Sequence, residues 1–178
     1  ETGISIMKIV EELDSGPVCN IYKVKLDSNQ NSQEISDKLS ILAAEKILDN
    51  IDDILENKAN FVEQDHSEAT YAKKIDKKEG KINWSEDAKK IIGKINGLFP
   101  TPGAFFTFKG ERYKILKAVI GNGLGKVGEV ISNNLEVACS KNQSIKILEI
   151  QRQGKKPQKI SEFVLGSNIK KGSIIINV

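Results

Sequence analysis

The sequence predicts an α/β segment followed by a small all-β barrel led by one helix, and three observations carry that expectation. Apolar residues first alternate as in strands and then recur at helical spacing; beyond Pro102 they fall into short runs separated by turn residues. Charge changes sign between the halves: residues 1–83 hold 11 basic against 17 acidic residues, a net of −6, whereas residues 84–178 hold 16 against 7, a net of +9. At 178 residues, 39% hydrophobic and 29% charged, the chain has the composition of an ordinary soluble protein of one domain or two small ones.

The opening "GISIMKIVEELDSGPVCNIYKVKLD" reads as strand, turn, strand. Ile4 and Ile6 alternate with Ser5, and Val18, Tyr22, Val24 and Leu26 share one face of the second run. The acids of "EELDSGPV" therefore fall on the loop between them, where Asp-Ser-Gly is turn chemistry. A helix is expected from about Gln33 to Asn57, with Ile35, Leu39, Leu42, Ala43, Ile47, Ile51, Ile54 and Leu55 as a stripe that packs against something. Asn31 and Glu34 form a capping pair at its start. Residues after 58 lose periodicity, and a linker over 65–83, anchored by Tyr71 and Ile75, separates residues 1–64 from a second domain over 84–178.

That domain starts with a helix for which Ser85 is a candidate N-cap, Glu86 and Asp87 suit the positive helix start, Ala88, Ile91, Ile92 and Ile95 form the stripe, and Gly97 is the end. Short strands are expected over 104–109, 112–120, 126–132, 135–140 and 144–152. Five consecutive short strands with tight turns suggest a small, closed or partly open barrel of the OB-like, oligonucleotide-binding type. "ISEFV" adds a short helix capped by Ser161.

Several chemistries are disfavoured. The single histidine, His66, lies in a polar stretch that reads as exposed linker, so no triad is built within the chain. Cys19 and Cys139 fall in separate strand-like runs, which suits two reduced core thiols better than a disulfide or zinc site, and no metal is expected. No apolar run approaches the ~18 residues of a membrane span, and the start lacks the order of a secretion signal. A soluble, cytoplasmic monomer is expected, and the missing initiator Met suggests N-terminal truncation. Gly123-Leu124-Gly125-Lys126-Val127-Gly128 matches G-x-G-x-x-G, but a strand and not a helix is expected after it, so a flexible hairpin loop is the favoured reading.

The basic half holds the stronger signal. Lys89, Lys90 and Lys94 occupy one helix face, Arg112, Lys114 and Lys117 one strand, and Arg152, Lys155, Lys156 and Lys159 cluster in "QRQGKKPQK". Such a barrel suits an RNA backbone, because lysines neutralise phosphates and release counterions. Phe105, Phe106, Phe108 and Tyr113 are mostly needed for the core, which predicts recognition of shape and backbone over stacked bases.

"ETGISIMKIVEELDSGPV" resembles the end of the Rossmann-like catalytic domain shared by folate-dependent formyltransferases. "YAKKIDKKEGKINWSEDA", "FPTPGAFFTFKGERYKILKA" and "LEIQRQGKKPQKISEFVLG" are similar in order and spacing to the linker and C-terminal domain of the methionyl-tRNA formyltransferase family. The chain departs from that pattern at residues 98–102, where the family shows an Asn-Pro-Trp-Pro-like turn, and in the loop 121–126. The resemblance implies formyl transfer from 10-formyltetrahydrofolate to methionyl initiator tRNA. Asp14 matches the family's catalytic aspartate, which works with an Asn and a His, and Glu11, Glu12 and Leu13 match the wall that receives the folate pterin. It also implies that Lys89, Lys90, Arg112, Lys114, Arg152, Lys155, Lys156 and Lys159 face tRNA, and that the chain alone is inactive for want of the Asn and His. A sugar-nucleotide amine formyltransferase and a non-catalytic RNA-binding barrel are the alternatives.

Overall fold

The computed structural model of the chain describes residues 1–175 and divides into two compact units, Glu1–Lys74 and Ile75–Val178. In the first, β1 (Thr2–Met7) and β2 (Val18–Val24) pair antiparallel, with Ile4 opposite Tyr22. Helix α1 (Ser32–Leu55) opens on a reciprocal capping box: the Glu34 N–H donates to the Asn31 side chain at 3.0 Å, and the Asn31 N–H donates to the Glu34 carboxylate at 2.9 Å. The Asn50 amide fastens α1 to the ribbon by donating to the Tyr22 hydroxyl at 2.8 Å. Beyond the helix, Val62 exchanges both backbone hydrogen bonds with Val18.

The stripe of α1 is only partly covered within this chain. No residue of the helix is fully buried; Ile47 and Leu55 are exposed, Leu55 by 71%. A 24-residue helix is ~36 Å long, whereas two strands present a ribbon only ~5 Å from axis to axis. Tyr71 is 92% exposed and Ile75 50% exposed.

The second unit begins with a tight turn, Lys77–Gly80, after which Lys81 bridges Phe105 in parallel. Helix α2 (Ala88–Gly97) buries Ala88, Ile91, Ile92 and Ile95 as the stripe predicts. Its cap is Asp87 and not Ser85: the Asp87 carboxylate accepts the Lys90 N–H at 2.9 Å, while the Ser85 N–H is engaged one turn earlier by the Asn83 side chain. Strands β3 (Phe105–Phe108), β4 (Glu111–Gly121), β5 (Glu136–Cys139) and β6 (Gln143–Arg152) form an antiparallel sheet in the order β3-β4-β6-β5, with β7 (Gln158–Lys159) also paired to β6.

The strand expected over 126–132 does not form. Only isolated bridges, Val130 to Val137 and Glu129 to Ile174, continue the sheet there, because Gly128 turns the chain at φ 80°. Helix α3 (Ile160–Gly166) starts directly from β7, so Lys159 is its N-cap and Ser161 sits inside its first turn. Register shifts near Lys117 bend β4, and the curled sheet packs on α2 as a small barrel-like domain. Trp84, Phe106, Tyr113 and Phe163 run through its core as an aromatic series with ring centroids 5.4–5.9 Å apart.

Candidate functional site

Two groups of residues qualify, one in each unit. In the first unit, the loop between β1 and β2 is clamped at its base and open at its tip. The Lys8 N–H donates to the Pro17 carbonyl at 3.0 Å, and Gly16 is buried so close to the Lys8 carbonyl that a Cβ has no room. The Gln64 amide donates to the carbonyls of Asp14 and Gly16 at 2.9 and 2.7 Å. Asp14 adopts a left-handed φ of 55°, a conformation Asp tolerates better than most residues. The clamp fixes the backbone and leaves Glu11, Glu12, Leu13 and Asp14 exposed, Leu13 by 92%. Among the described residues, no ion pair holds the Asp14 carboxylate. The tip therefore combines an unengaged carboxylate with an apolar edge.

In the second unit, strand register assembles a basic face. Phe105 lies opposite Lys114 and Lys114 opposite Gln151, so the three share a row across β3, β4 and β6. The Arg112 guanidinium lies 3.6 Å above the Phe105 ring centroid, a cation–π stack that holds it flat. The stem of Lys114 crosses Gly103: a Cβ there would lie 2.5 Å from Lys114 Cδ, and the φ of 80° favours glycine in any case. Gly80 plays the same part for the Lys77–Gly80 turn, since its Cβ would lie 2.6 Å from the Gly103 carbonyl. Between these elements is a cavity of about 330 Å³ lined by Lys77, Thr101, Arg112, Lys114, Gln151 and Gly154, among others. Lys77 escaped sequence reasoning; the signal for it was the pair of glycines.

Arg152 also lines this cavity, but its charge is engaged by Glu111, which accepts a second bond from the Tyr113 hydroxyl at 2.7 Å. The Arg152 bond, followed by the Tyr113 bond, holds the Glu111 carboxyl below the usual carboxylate range. Burial, with help from Glu111, pushes the Tyr113 hydroxyl up to about 12. Lys89, Lys90, Lys155, Lys156 and Lys159 are exposed, whereas Lys94 donates to the Lys81 carbonyl at 3.1 Å and pairs with Glu86.

The glycine-rich stretch lacks the context of a dinucleotide fingerprint and is tied down at Gly123. No helix follows it, and the Gly123 N–H donates to both Glu136 Oε1 and Ser144 Oγ at 3.0 Å. The Ser144 hydroxyl donates to Glu136 at 2.6 Å, with Ser144 wholly buried and Glu136 8% exposed. A Cβ on Gly121 would lie 2.5 Å from Ser144 Oγ, and one on Gly123 2.9 Å from Glu136 Oε1. These glycines let the chain pass close over a buried carboxylate and satisfy it with backbone N–H.

Cys139 is buried, its thiol pushed up first by that burial and then by the nearby Asp87, whereas Cys19 is half-buried; both are free thiols. His66 is exposed. Among the described residues, no group of three or more His, Cys, Asp and Glu side chains could hold a metal ion, and no helix is long and apolar enough to cross a membrane.

Residues 74–168 match the family model for the formyl transferase C-terminal domain. The chain belongs to the formyl transferase family, of which it carries that domain. It is 64% identical over all 178 residues to a methionyl-tRNA formyltransferase of Pelagibacter ubique (strain HTCC1062), and spans 57% of that protein's length. Among solved structures, it is similar to HypX from Aquifex aeolicus in complex with tetrahydrofolic acid, with a TM-score of 0.72 at 18% identity over 92% of this chain and 30% of that one. It is also similar to WlaRD, a sugar 3N-formyl transferase, with a TM-score of 0.66 at 19% identity over 86% of this chain and 56% of that one. At such identities these two likenesses concern the fold.

Proposed function

We propose that the chain is the C-terminal part of a methionyl-tRNA formyltransferase, which moves the formyl group of 10-formyltetrahydrofolate to the amino group of methionyl initiator tRNA in translation initiation. The observation that carries this reading is the 64% identity, unbroken from one end of the chain to the other, to the Pelagibacter protein of that name. Residues 1–64 then complete a Rossmann-like catalytic domain, 65–83 form the linker, and 84–178 form an OB-like domain that holds tRNA in a cytoplasmic, monomeric enzyme.

Asp14 is the catalytic carboxylate in this reading. Attack of an amine on a formyl carbon leaves negative charge on oxygen and a proton to be moved from nitrogen. A carboxylate beside an imidazole favours its charged form and can pass a proton through water. Glu11, Glu12 and Leu13 border the folate, and the exposed Leu13 side chain gives a pterin edge an apolar surface. The net +9 of residues 84–178 suits a polyanion.

A formylation assay with 10-formyltetrahydrofolate and methionyl initiator tRNA, on the complete reading frame, tests this. Asp14→Asn is expected to lower kcat by ~10²–10⁴ with tRNA affinity unchanged; equal loss of both would assign the loop a structural role. The likeness to WlaRD favours one second reading, a sugar-nucleotide amine formyltransferase, and turnover of an amino-sugar nucleotide in place of tRNA would establish it.

A further inference from the structure

One side chain from outside the acidic loop governs the backbone at its tip. Asp14 holds a left-handed φ of 55°, which a residue with a Cβ keeps only where its surroundings enforce it. Among the described hydrogen bonds, the one made by Asp14 is accepted by its carbonyl from the Gln64 amide at 2.9 Å. The same nitrogen donates to the Gly16 carbonyl at 2.7 Å, so both hydrogens of a single amide are spent on either side of Ser15. The loop's own bonds stop short of Asp14: the Lys8 N–H closes the base on the Pro17 carbonyl at 3.0 Å, and the Ser15 hydroxyl donates to the Glu12 carbonyl at 3.1 Å.

Gln64 is itself well anchored. It is half-buried, Val62 before it exchanges both backbone bonds with Val18, and the Asp65 carboxylate after it accepts the Ser67 N–H at 2.9 Å to open a short turn. Asp-Ser-Gly forms a turn in water without such help. What a side chain reaching across 50 residues adds is one fixed direction for the Cα–Cβ bond of Asp14, and so for the carboxylate it carries.

We infer that Gln64 is a positioning residue for formyl transfer, its amide holding the carbonyls of Asp14 and Gly16 so that the exposed Asp14 carboxylate starts from a single backbone geometry. This rests on the catalytic reading of Asp14 proposed above. Because its amide hydrogens are spent on the loop, Gln64 acts through Asp14.

The test uses Gln64→Ala and Gln64→Glu; the second keeps the side chain's length and volume, but its ionised carboxylate can only accept. In the 178-residue chain, amide ¹⁵N relaxation should give Asp14, Ser15 and Gly16 the order parameters of rigid backbone, ~0.85, falling below ~0.6 in both variants while β1 and β2 stay rigid. Unchanged order at the tip, or loss of order throughout the two strands, would overturn the inference.

In the complete reading frame, Gln64→Glu should lower kcat by ~10–10², the scale of a misplacement of about 1 Å, with KM for methionyl-tRNA unchanged. In an Asp14→Asn background the same substitution should cost nothing further, since the group it positions is already lost. Full activity in Gln64→Glu, or losses that multiply in the double variant, would overturn the role of Gln64 and leave the reading of Asp14 standing. Absence of formylation by the unsubstituted enzyme would overturn that reading, and the catalytic role of Gln64 with it.

Discussion

Both units set an amphipathic helix beside antiparallel strands, and they differ in how much of the helical stripe this chain covers. Helix α1 has 24 residues and buries none of them fully; α2 has ten and buries four. Every fully buried apolar residue among those described lies between Ile82 and Ile175. What differs is the sheet: α1 lies against a two-stranded ribbon, while α2 packs on β4 and β6 of a curled five-stranded sheet. In the reading proposed above, α1 belongs to a catalytic domain of which this chain, spanning 57% of the length of its Pelagibacter relative, carries only the last part.

The sharpest way to break this comparison is one substitution made in both helices. Ile91→Ala, at a fully buried position of α2, is expected to cost ~2–5 kcal/mol of the second unit's stability in urea unfolding. A cost below ~1 kcal/mol would mean that the core of the second unit is loosely packed. A smaller effect, ~1–3 kcal/mol, is expected of Gly121→Ala, where overpacking presses against Glu136 and Ser144. An unchanged midpoint there would show that the buried carboxylate moves aside.

A pH series sharpens the contrast further. The Tyr113 hydroxyl is pushed from 10.0 to about 12 in the folded unit, mainly by burial, so an unfolded chain surrenders that proton first. Tyr113's contribution is fully present below pH 10 and is lost as pH rises from about 10 to about 12; Tyr113→Phe should flatten that alkaline fall. The smallest effect belongs to the first unit: Ile41→Ala, at a side chain 62% exposed, should change stability by no more than ~0.5 kcal/mol. A large loss there would show that α1 is covered in solution.

The parts legible in the sequence were those whose partners are local. The Asn31–Glu34 capping box spans three residues, and the stripe from Ala88 to Ile95 needs only the helical period. Where two local rules competed, as between Ser85 and Asp87, the start of α2 at Ala88 decided it, since Asp87 stands directly before the first turn and accepts the Lys90 N–H. Arg152 looked like a free cation because Glu111 is 41 residues away and only strand pairing brings them together. The cavity was illegible for the same reason, since it depends on Gly80 meeting Gly103. The acidic loop was readable as a turn, but the glutamine that clamps it, Gln64, enters only after α1 has been traversed.

The sole tryptophan, Trp84, is sealed inside the second unit against Phe106, and residues 1–74 contain no indole. Its emission is therefore a spectroscopic label that the molecule already carries for one half only. Followed alongside far-UV ellipticity, to which α1 contributes the longest helix, it resolves whether heat melts the halves together or in turn, without a dye or an added chromophore.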